Sequence, residues 1–196
     1  MCIRDSYKVR QIEKAIECYE KALGIVRELG DRRGETTVLG NLGDVYRKLG
    51  QIDKAIGYYE KGLAIAREVG YRRGEGEALG DLGVAYSDLG QLEKAIAYYE
   101  KALAIHREVG DRGTEGAVVG NLGSAYYELG QIEKAIEYYE KALAIHREVG
   151  YRRGEGIFLG NLGAAYYKVR QLEKAIDYYE KALAIAREVG SRRGEG

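Results

Sequence analysis

An all-α solenoid of stacked antiparallel helix pairs is the fold this sequence predicts, and three observations predict it. The twenty-residue phrase Gln91–Gly110, QLEKAIAYYEKALAIHREVG, returns in variant form from Gln11, Gln51, Gln131 and Gln171, each 40 residues from the next. Self-similarity at a period of about 20 to 50 residues marks a repeat array, in which each unit is buttressed by its neighbours. The chain has no proline and 28 glycines, so helices must end on glycine in left-handed backbone. Both halves of the period carry apolar residues at three-and-four spacing, the spacing of a helix face.

Composition bounds the function. Lys and Arg balance Asp and Glu at 31 each, so no net field steers the chain toward nucleic acid, an anionic membrane or an acidic substrate. No apolar run approaches the eighteen or so residues of a membrane span, and nothing resembles a secretory signal, so a cytoplasmic protein is expected. Cys2 and Cys18 form neither a disulfide framework nor a metal pair. Cys18 stands where the other copies have Tyr58, Tyr98, Tyr138 and Tyr178, which gives it a packing or surface role.

The elements follow in order. Residues 1–6, MCIRDS, have no counterpart in any repeat and are expected to be a non-native leader; similarity begins with YKVRQIEKAI at Tyr7, which echoes YKVRQLEKAI at Tyr167. Residues 7–33 are a partial repeat, the end of one helix A plus a helix B. Complete repeats occupy 34–73, 74–113, 114–153 and 154–190, and 191–196 begin a truncated one. Both ends cut a repeat, so the chain is expected to be a fragment of a larger adaptor or sensor.

Helix B is typified by Ile12, Ala15, Ile16, Tyr19, Ala22, Leu23 and Val26 on one face and Glu13, Lys14, Glu17, Glu20 and Lys21 on the other. Gly30, Gly70, Gly110, Gly150 and Gly190 follow its last apolar residue and are expected to cap it. Helix A is typified by Gly74–Leu89, with Leu79, Leu82, Gly83, Tyr86 and Leu89 on one face and Gly90 as its cap. Each of its glycines costs roughly 0.5–1 kcal/mol against alanine, so only packing against neighbours can hold such a helix. Small residues Gly83, Ala95 and Ala102 are expected to let the helices of a pair approach closely, with Tyr86 and Tyr99 filling space between units. One orphan helix B and four pairs make nine helices.

Within one unit, Leu79, Leu82-Gly83, Tyr86, Gly90, Ala95, Tyr99 and Ala102 reproduce the tetratricopeptide-repeat order of large residue, Leu-Gly, Tyr, Gly, Ala, aromatic, Ala. The chain resembles that family over residues 7–196. Where the usual repeat has proline soon after the last alanine and a period of about 34, this one has Arg107 and continues for over a turn, similar to the units of the Pins/LGN adaptors, kinesin light chains and bacterial signalling proteins. The resemblance implies a right-handed superhelix whose A helices line a concave, peptide-binding groove.

In that family's unit, positions two, six, nine and thirteen of helix A share the face opposite the Leu/Tyr core. Here they are Thr37, Asn41, Asp44 and Lys48; Glu77, Asp81, Val84 and Asp88; Ala117, Asn121, Ser124 and Glu128; and Ile157, Asn161, Ala164 and Lys168. Arg47, Ser87, Tyr127 and Tyr167 stand beside them. The asparagines are expected to bond a peptide's backbone and Tyr127, Tyr167 and Ile157 to give apolar contact. Gly40, Gly80, Gly120 and Gly160 adjoin this strip, either admitting a ligand's backbone or making room for neighbouring A helices. The carboxylate clamp of chaperone co-factors would need lysine at those glycines and asparagine at Asp44, Val84, Ser124 and Ala164, so that ligand class does not carry over. The Leu-Gly-Asn motif of the Pins/LGN group lacks its asparagine at the same four positions.

No nucleophile with base and orienter, phosphate loop or paired acids is present, so no catalytic site, cofactor or metal is expected. His106 and His146 are read as last-turn histidines favoured by the helix dipole, the Tyr-Tyr pairs as one core and one partly exposed ring, and the Arg-rich turns at Arg72-Arg73 and Arg152-Arg153 as solvated charge. A protein or peptide partner is therefore expected, without nucleic acid or membrane. The alternatives are end-to-end self-association through uncapped terminal helices, and the regulatory region of an enzyme whose catalytic domain lies elsewhere.

Overall fold

A computed structural model of the chain describes residues 3–192, with side chains for residues 11–190. Nine helices make up the described residues: α1 (Ile3–Glu28), α2 (Arg32–Lys48), α3 (Ile52–Glu68), α4 (Arg72–Asp88), α5 (Leu92–Glu108), α6 (Arg112–Glu128), α7 (Ile132–Glu148), α8 (Arg152–Lys168) and α9 (Leu172–Arg192). The even-numbered helices are the A helices of the repeat and the odd-numbered ones its B helices. Two compact units divide the chain, residues 1–105 and 106–196. In the first, α1 packs on α2, α2 on α3 and α3 on α4; in the second, α6 packs on α7, α7 on α8 and α8 on α9.

Glycine punctuates as expected at most boundaries. Gly30, Gly50, Gly70, Gly90, Gly110, Gly130 and Gly150 all have φ between 65° and 75°. At the first, the Gly30 amide donates to the Arg27 carbonyl and the Asp31 amide to the Val26 carbonyl, the paired bonds of a Schellman cap. Gly190 departs from expectation: α9 runs through it to Arg192. Among the described residues no further helix packs back after α9, so nothing requires the chain to reverse there. The expected opening of a new repeat at 191–196 thus begins as the last turn of α9 at residues 191 and 192, and the rest lies outside the described residues.

The A helices start two residues earlier than the sequence pattern suggests, at Arg32, Arg72, Arg112 and Arg152. Each of these arginines reaches a glutamate one turn on, Glu35, Glu75, Glu115 or Glu155, which fixes the first turn.

Near-identical sequence takes two conformations. YKVRQIEKAI from Tyr7 lies wholly inside α1, whereas YKVRQLEKAI from Tyr167 breaks between α8 and α9, with Arg170 at φ 63°. The expected helix end at residues 7–10 is therefore not formed, and residues 3–6 of the leader belong to α1. At Arg170 the body of α8 packs on α9 and forces the reversal; no such helix precedes Tyr7 among the described residues. A non-glycine residue in left-handed backbone costs roughly 1–2 kcal/mol. Arg170→Gly is expected to raise stability by about 1 kcal/mol in urea denaturation. An unchanged midpoint would mean that the loop relaxes around arginine at no cost.

The core within each pair is a tyrosine over a glycine. A Cβ on Gly43, Gly83, Gly123 or Gly163 would come within 2.4–2.8 Å of the ring of Tyr59, Tyr99, Tyr139 or Tyr179. Tyr86 stacks on Tyr98 with centroids 5.2 Å apart, and Tyr46 on Tyr58, Tyr126 on Tyr138 and Tyr166 on Tyr178 do likewise. Tyr86 and Tyr99 thus fill space inside a pair, whereas they were expected to fill the space between units. Tyr139 does reach the following A helix, at 6.2 Å from Phe158. The second tyrosine of each Tyr-Tyr pair is buried in α3, α5 and α7 and exposed in α9. Lys54 lies over the Tyr46 ring and Lys61 over the Tyr58 ring; the same two lysine–tyrosine contacts recur in every pair.

Candidate peptide-docking strip on the A helices

In the first unit the strip lies on α2 and α4. Thr37, Glu77, Lys48 and Asp88 are exposed, and Asn41, Asp81, Asp44 and Val84 are half-buried, as are Arg47 and Ser87. Side chains of the strip are tied to the framework. The Tyr59 hydroxyl donates to Asp44 Oδ1 at 2.8 Å, and burial together with that carboxylate pushes the phenol's pKa upward. The Arg47 guanidinium donates to Asp88 Oδ2 at 3.0 Å, linking α2 to α4. Bare backbone adjoins these groups: a Cβ on Gly40 would meet only Asp81 Oδ2, at 4.0 Å, and one on Gly80 would meet nothing.

Asp81 is the most perturbed carboxyl. Burial, then the charges of Asp44 and Glu77, push it up to about 7 against the opposing Arg47. Its folded form holds a proton more tightly than the unfolded chain, so stability falls as pH rises from its ordinary 3.8 toward 7. Asp81→Asn is expected to stabilise the protein at pH 8 by on the order of 1 kcal/mol, discounted for its partial exposure. That gain should vanish near pH 4; a constant gain across pH would assign it to packing.

In the second unit the strip lies on α6 and α8. Ala117, Ile157, Glu128 and Lys168 are exposed, and Asn121, Asn161, Ser124 and Ala164 are half-buried. Tyr127 is half-buried, whereas Tyr167 is 62% exposed. The Tyr139 hydroxyl donates to Ser124 Oγ at 3.3 Å, and Ser124 donates to the Gly120 carbonyl. Gly120 and Gly160 differ. A Cβ on Gly120 would sit 2.1 Å from Phe158 Cζ, whereas nothing lies within 4 Å of one on Gly160. The glycine column thus has both roles: Gly120 makes room for the next A helix, and Gly40, Gly80 and Gly160 leave the backbone open. Ile157 also lines a groove between α8 and α9.

Two features escaped the sequence reading. Glu35, Glu75, Glu115 and Glu155 are buried, and each accepts from the arginine ending the preceding B helix, Arg27, Arg67, Arg107 or Arg147, at 2.7–2.9 Å. Arg32, Arg112 and Arg152 bridge onward to Glu68, Glu148 and Glu188. The first arginine of each Arg-rich turn is thus a framework clamp as well as a partly solvated charge. The signal was available, since Glu and both arginines recur in every unit. Second, His106 and His146 are core residues. His146 stacks on Phe158 at 5.1 Å, and burial lowers its pKa. No group of three or more His, Cys, Asp or Glu able to hold a metal occurs among the described residues, and none of their helices is long and apolar enough to cross a membrane.

The tyrosine-on-glycine core, repeated in each helix pair, defines a repeat protein of stacked antiparallel helices. The tetratricopeptide-repeat profile matches residues 7–68, 37–108, 74–148 and 114–188, and the chain belongs to the tetratricopeptide-repeat family. No curated protein sequence matches it. Among solved structures it is similar to BtubC (BKLC) from P. vanneervenii, with 26% identity and a TM-score of 0.83 over 94% of this chain and 76% of that one. It is also similar to a signal transduction ATPase with numerous domains from Pyrococcus horikoshii that has a tetratricopeptide-repeat sensor, with 27% identity and a TM-score of 0.81 over 95% of this chain and 29% of the other. A Rap protein complexed with Competence and Sporulation Factor shares the fold at 22% identity and a TM-score of 0.81, over 94% of this chain and 52% of that one. Family and fold together indicate a protein-interaction scaffold, and tetratricopeptide-repeat proteins are in general non-catalytic.

Proposed function

We propose that the chain is a scaffold that binds an extended or helical peptide along the A-helix strip. The observation that carries this reading is the contrast between the two faces of each A helix. The Leu-Gly face is buried in every pair, whereas none of the sixteen strip positions is buried, and three of the four adjoining glycines leave backbone open. Asn41, Asn121 and Asn161 supply donors and acceptors for a ligand's backbone, and Ile157, Tyr127 and Tyr167 supply apolar contact. The repeats read in this way are those at 34–73, 74–113, 114–153 and 154–190. The Rap protein solved with Competence and Sporulation Factor supports a ligand-binding use of the same fold.

The two units carry different chemistry. The α2 and α4 strip is rich in carboxylates, and the α6 and α8 strip is mostly neutral with aromatic and aliphatic exposure. A peptide-library pulldown with the intact chain is expected to enrich a motif that Asn121→Ala and Tyr127→Ala each weaken by about tenfold or more. Retention of the same motif by both variants would contradict the strip as the binding surface.

A further inference from the structure

One turn between the two helices of a pair is made differently from the rest. The four turns are Leu49-Gly50-Gln51, Leu89-Gly90-Gln91, Leu129-Gly130-Gln131 and Val169-Arg170-Gln171. The three glycines have φ of 70–75°, and Arg170 holds the same left-handed backbone at φ 63°. The turn closes as the others do, the Arg170 amide donating to the Tyr167 carbonyl at 3.1 Å and the Gln171 amide to the Tyr166 carbonyl at 3.0 Å. The Arg170 side chain is exposed, so its own burial does not compensate for the strained backbone. Glycine suits such a turn and weakens a helix, and arginine does the opposite on both counts. Relative to a glycine turn, residue 170 leans toward unbroken helix by on the order of thirtyfold. The same sequence forms that helix elsewhere: residues 7–16, which differ from 167–176 only in having Ile12 for Leu172, run without a break through α1.

We propose that the α8–α9 turn is a hinge that opens into one continuous helix and exchanges α9 between two copies of this chain. In the open form residues 152–192 make a single helix roughly 60 Å long, at about 1.5 Å per residue. The helix that α9 packs on is α8, so opening breaks chiefly that interface. Tyr179 leaves Gly163, and Tyr178 leaves Tyr166, on which it stacks with centroids 5.3 Å apart. An open monomer is not the end state, because it uncovers Ala175 and Ile185 of α9, both buried in the hairpin. Two open chains lying antiparallel remake every contact reciprocally, α9 of each on α8 of the other, in a closed two-fold arrangement. Each interface residue keeps its partner type, so the exchanged and unexchanged forms differ chiefly at the hinge. Relief of two left-handed arginines then offsets part of the entropy lost on association. Anything joined beyond residue 196 travels with α9, so the exchange does not require α9 to end the array.

Disulfide trapping tests the exchange. A Cβ on Gly156 in α8 would lie 3.5 Å from Ile185 Cβ in α9, within the span of a disulfide. The full chain carrying Cys2→Ser, Cys18→Ser, Gly156→Cys and Ile185→Cys is refolded from urea at on the order of 1 mM, then diluted and oxidised. Disulfides between chains are expected, read as a covalent dimer on a non-reducing gel. Arg170→Gly is expected to lower the dimer's share about tenfold or more. Arg170→Ala, helix-favouring and equally strained in the turn, is expected to keep it. Light scattering after size exclusion makes the same comparison without the added cysteines, with a dimer that survives dilution expected for the wild-type chain and a monomer for Arg170→Gly. Equal dimer shares in wild type and Arg170→Gly overturn the hinge, as does a wild-type chain that stays monomeric after refolding. A dimer whose cysteines close only within one chain overturns the exchange. Growth beyond the dimer with concentration assigns self-association to end-to-end stacking and overturns it too.

Discussion

Gly83→Ala is expected to destabilise the protein by about 2 kcal/mol, although alanine is the better helix former by roughly 1 kcal/mol. The added Cβ would lie 2.5 Å from the Tyr99 ring, well inside van der Waals contact. Tyr99 is 3% exposed in a close-packed interior, so α4 and α5 must separate or the ring must leave its rotamer. Gly57 provides the control. It lies mid-way along α3 with nothing within 4 Å of a built Cβ, and Gly57→Ala is expected to stabilise by about 0.5–1 kcal/mol. Opposite signs from one substitution type, read in the same urea titration, would separate packing from propensity. Two stabilising results would show that the Leu-Gly pair is not what sets the approach of the helices.

Glu115→Ala is the second large effect expected, a loss of about 1–2 kcal/mol. Its carboxylate is buried and accepts from Arg107 and Arg112, whose side chains are 58% and 41% exposed. Because the guanidiniums are half in water, the figure sits below that for a fully buried pair. Burial pushes the Glu115 carboxyl up, but hydrogen bonds from Arg107 and Arg112 outweigh it and hold the pKa below its ordinary value. Glu155 behaves in the same way with Arg147 and Arg152, and at Glu35 the Arg27 hydrogen bond is the largest influence. The stability these groups confer is present above the ordinary carboxylate range and is lost as pH falls through it. The wild-type protein should therefore unfold more readily below about pH 5, and Glu115→Gln should flatten that acid limb. An acid limb of unchanged slope would assign the effect to other carboxylates. Asp81 titrates with the opposite sign at higher pH, so the two contributions can be told apart in one pH series.

Much of the fold was legible because the repeat states its own rules forty residues at a time. Helix type, number and most caps follow from three-and-four spacing and from glycine after each apolar run. What failed did so where tertiary context overrides local sequence. YKVRQ is helical in α1 and broken at Arg170, where among the described residues a preceding helix, α8, packs back on α9. Gly190 does not cap, because no described helix follows. The Arg–Glu clamp was missed because charge at a helix junction reads as solvation in one dimension. Its partners stand eight and thirty-six residues apart and meet only when the helices stack. The glycine column could not be resolved from sequence either, since Gly120 and Gly160 are both followed by Asn-Leu-Gly and the difference lies in Phe158, which stands on the A helix after Gly120.

The separation of framework from strip is the central proposal: near-identical B helices hold the stack, and the variable A-helix strip is proposed to meet the partner. Amide chemical-shift mapping of the full chain, titrated with the peptide enriched by pulldown, tests it directly. The account predicts perturbations at Asn121, Ser124, Tyr127 and Asn161 in the second unit or at Asn41, Asp44 and Asp81 in the first, with little change at exposed α7 residues such as Glu137 and Lys141. Perturbations concentrated on the exposed α7 face, with the strip unmoved, would contradict it.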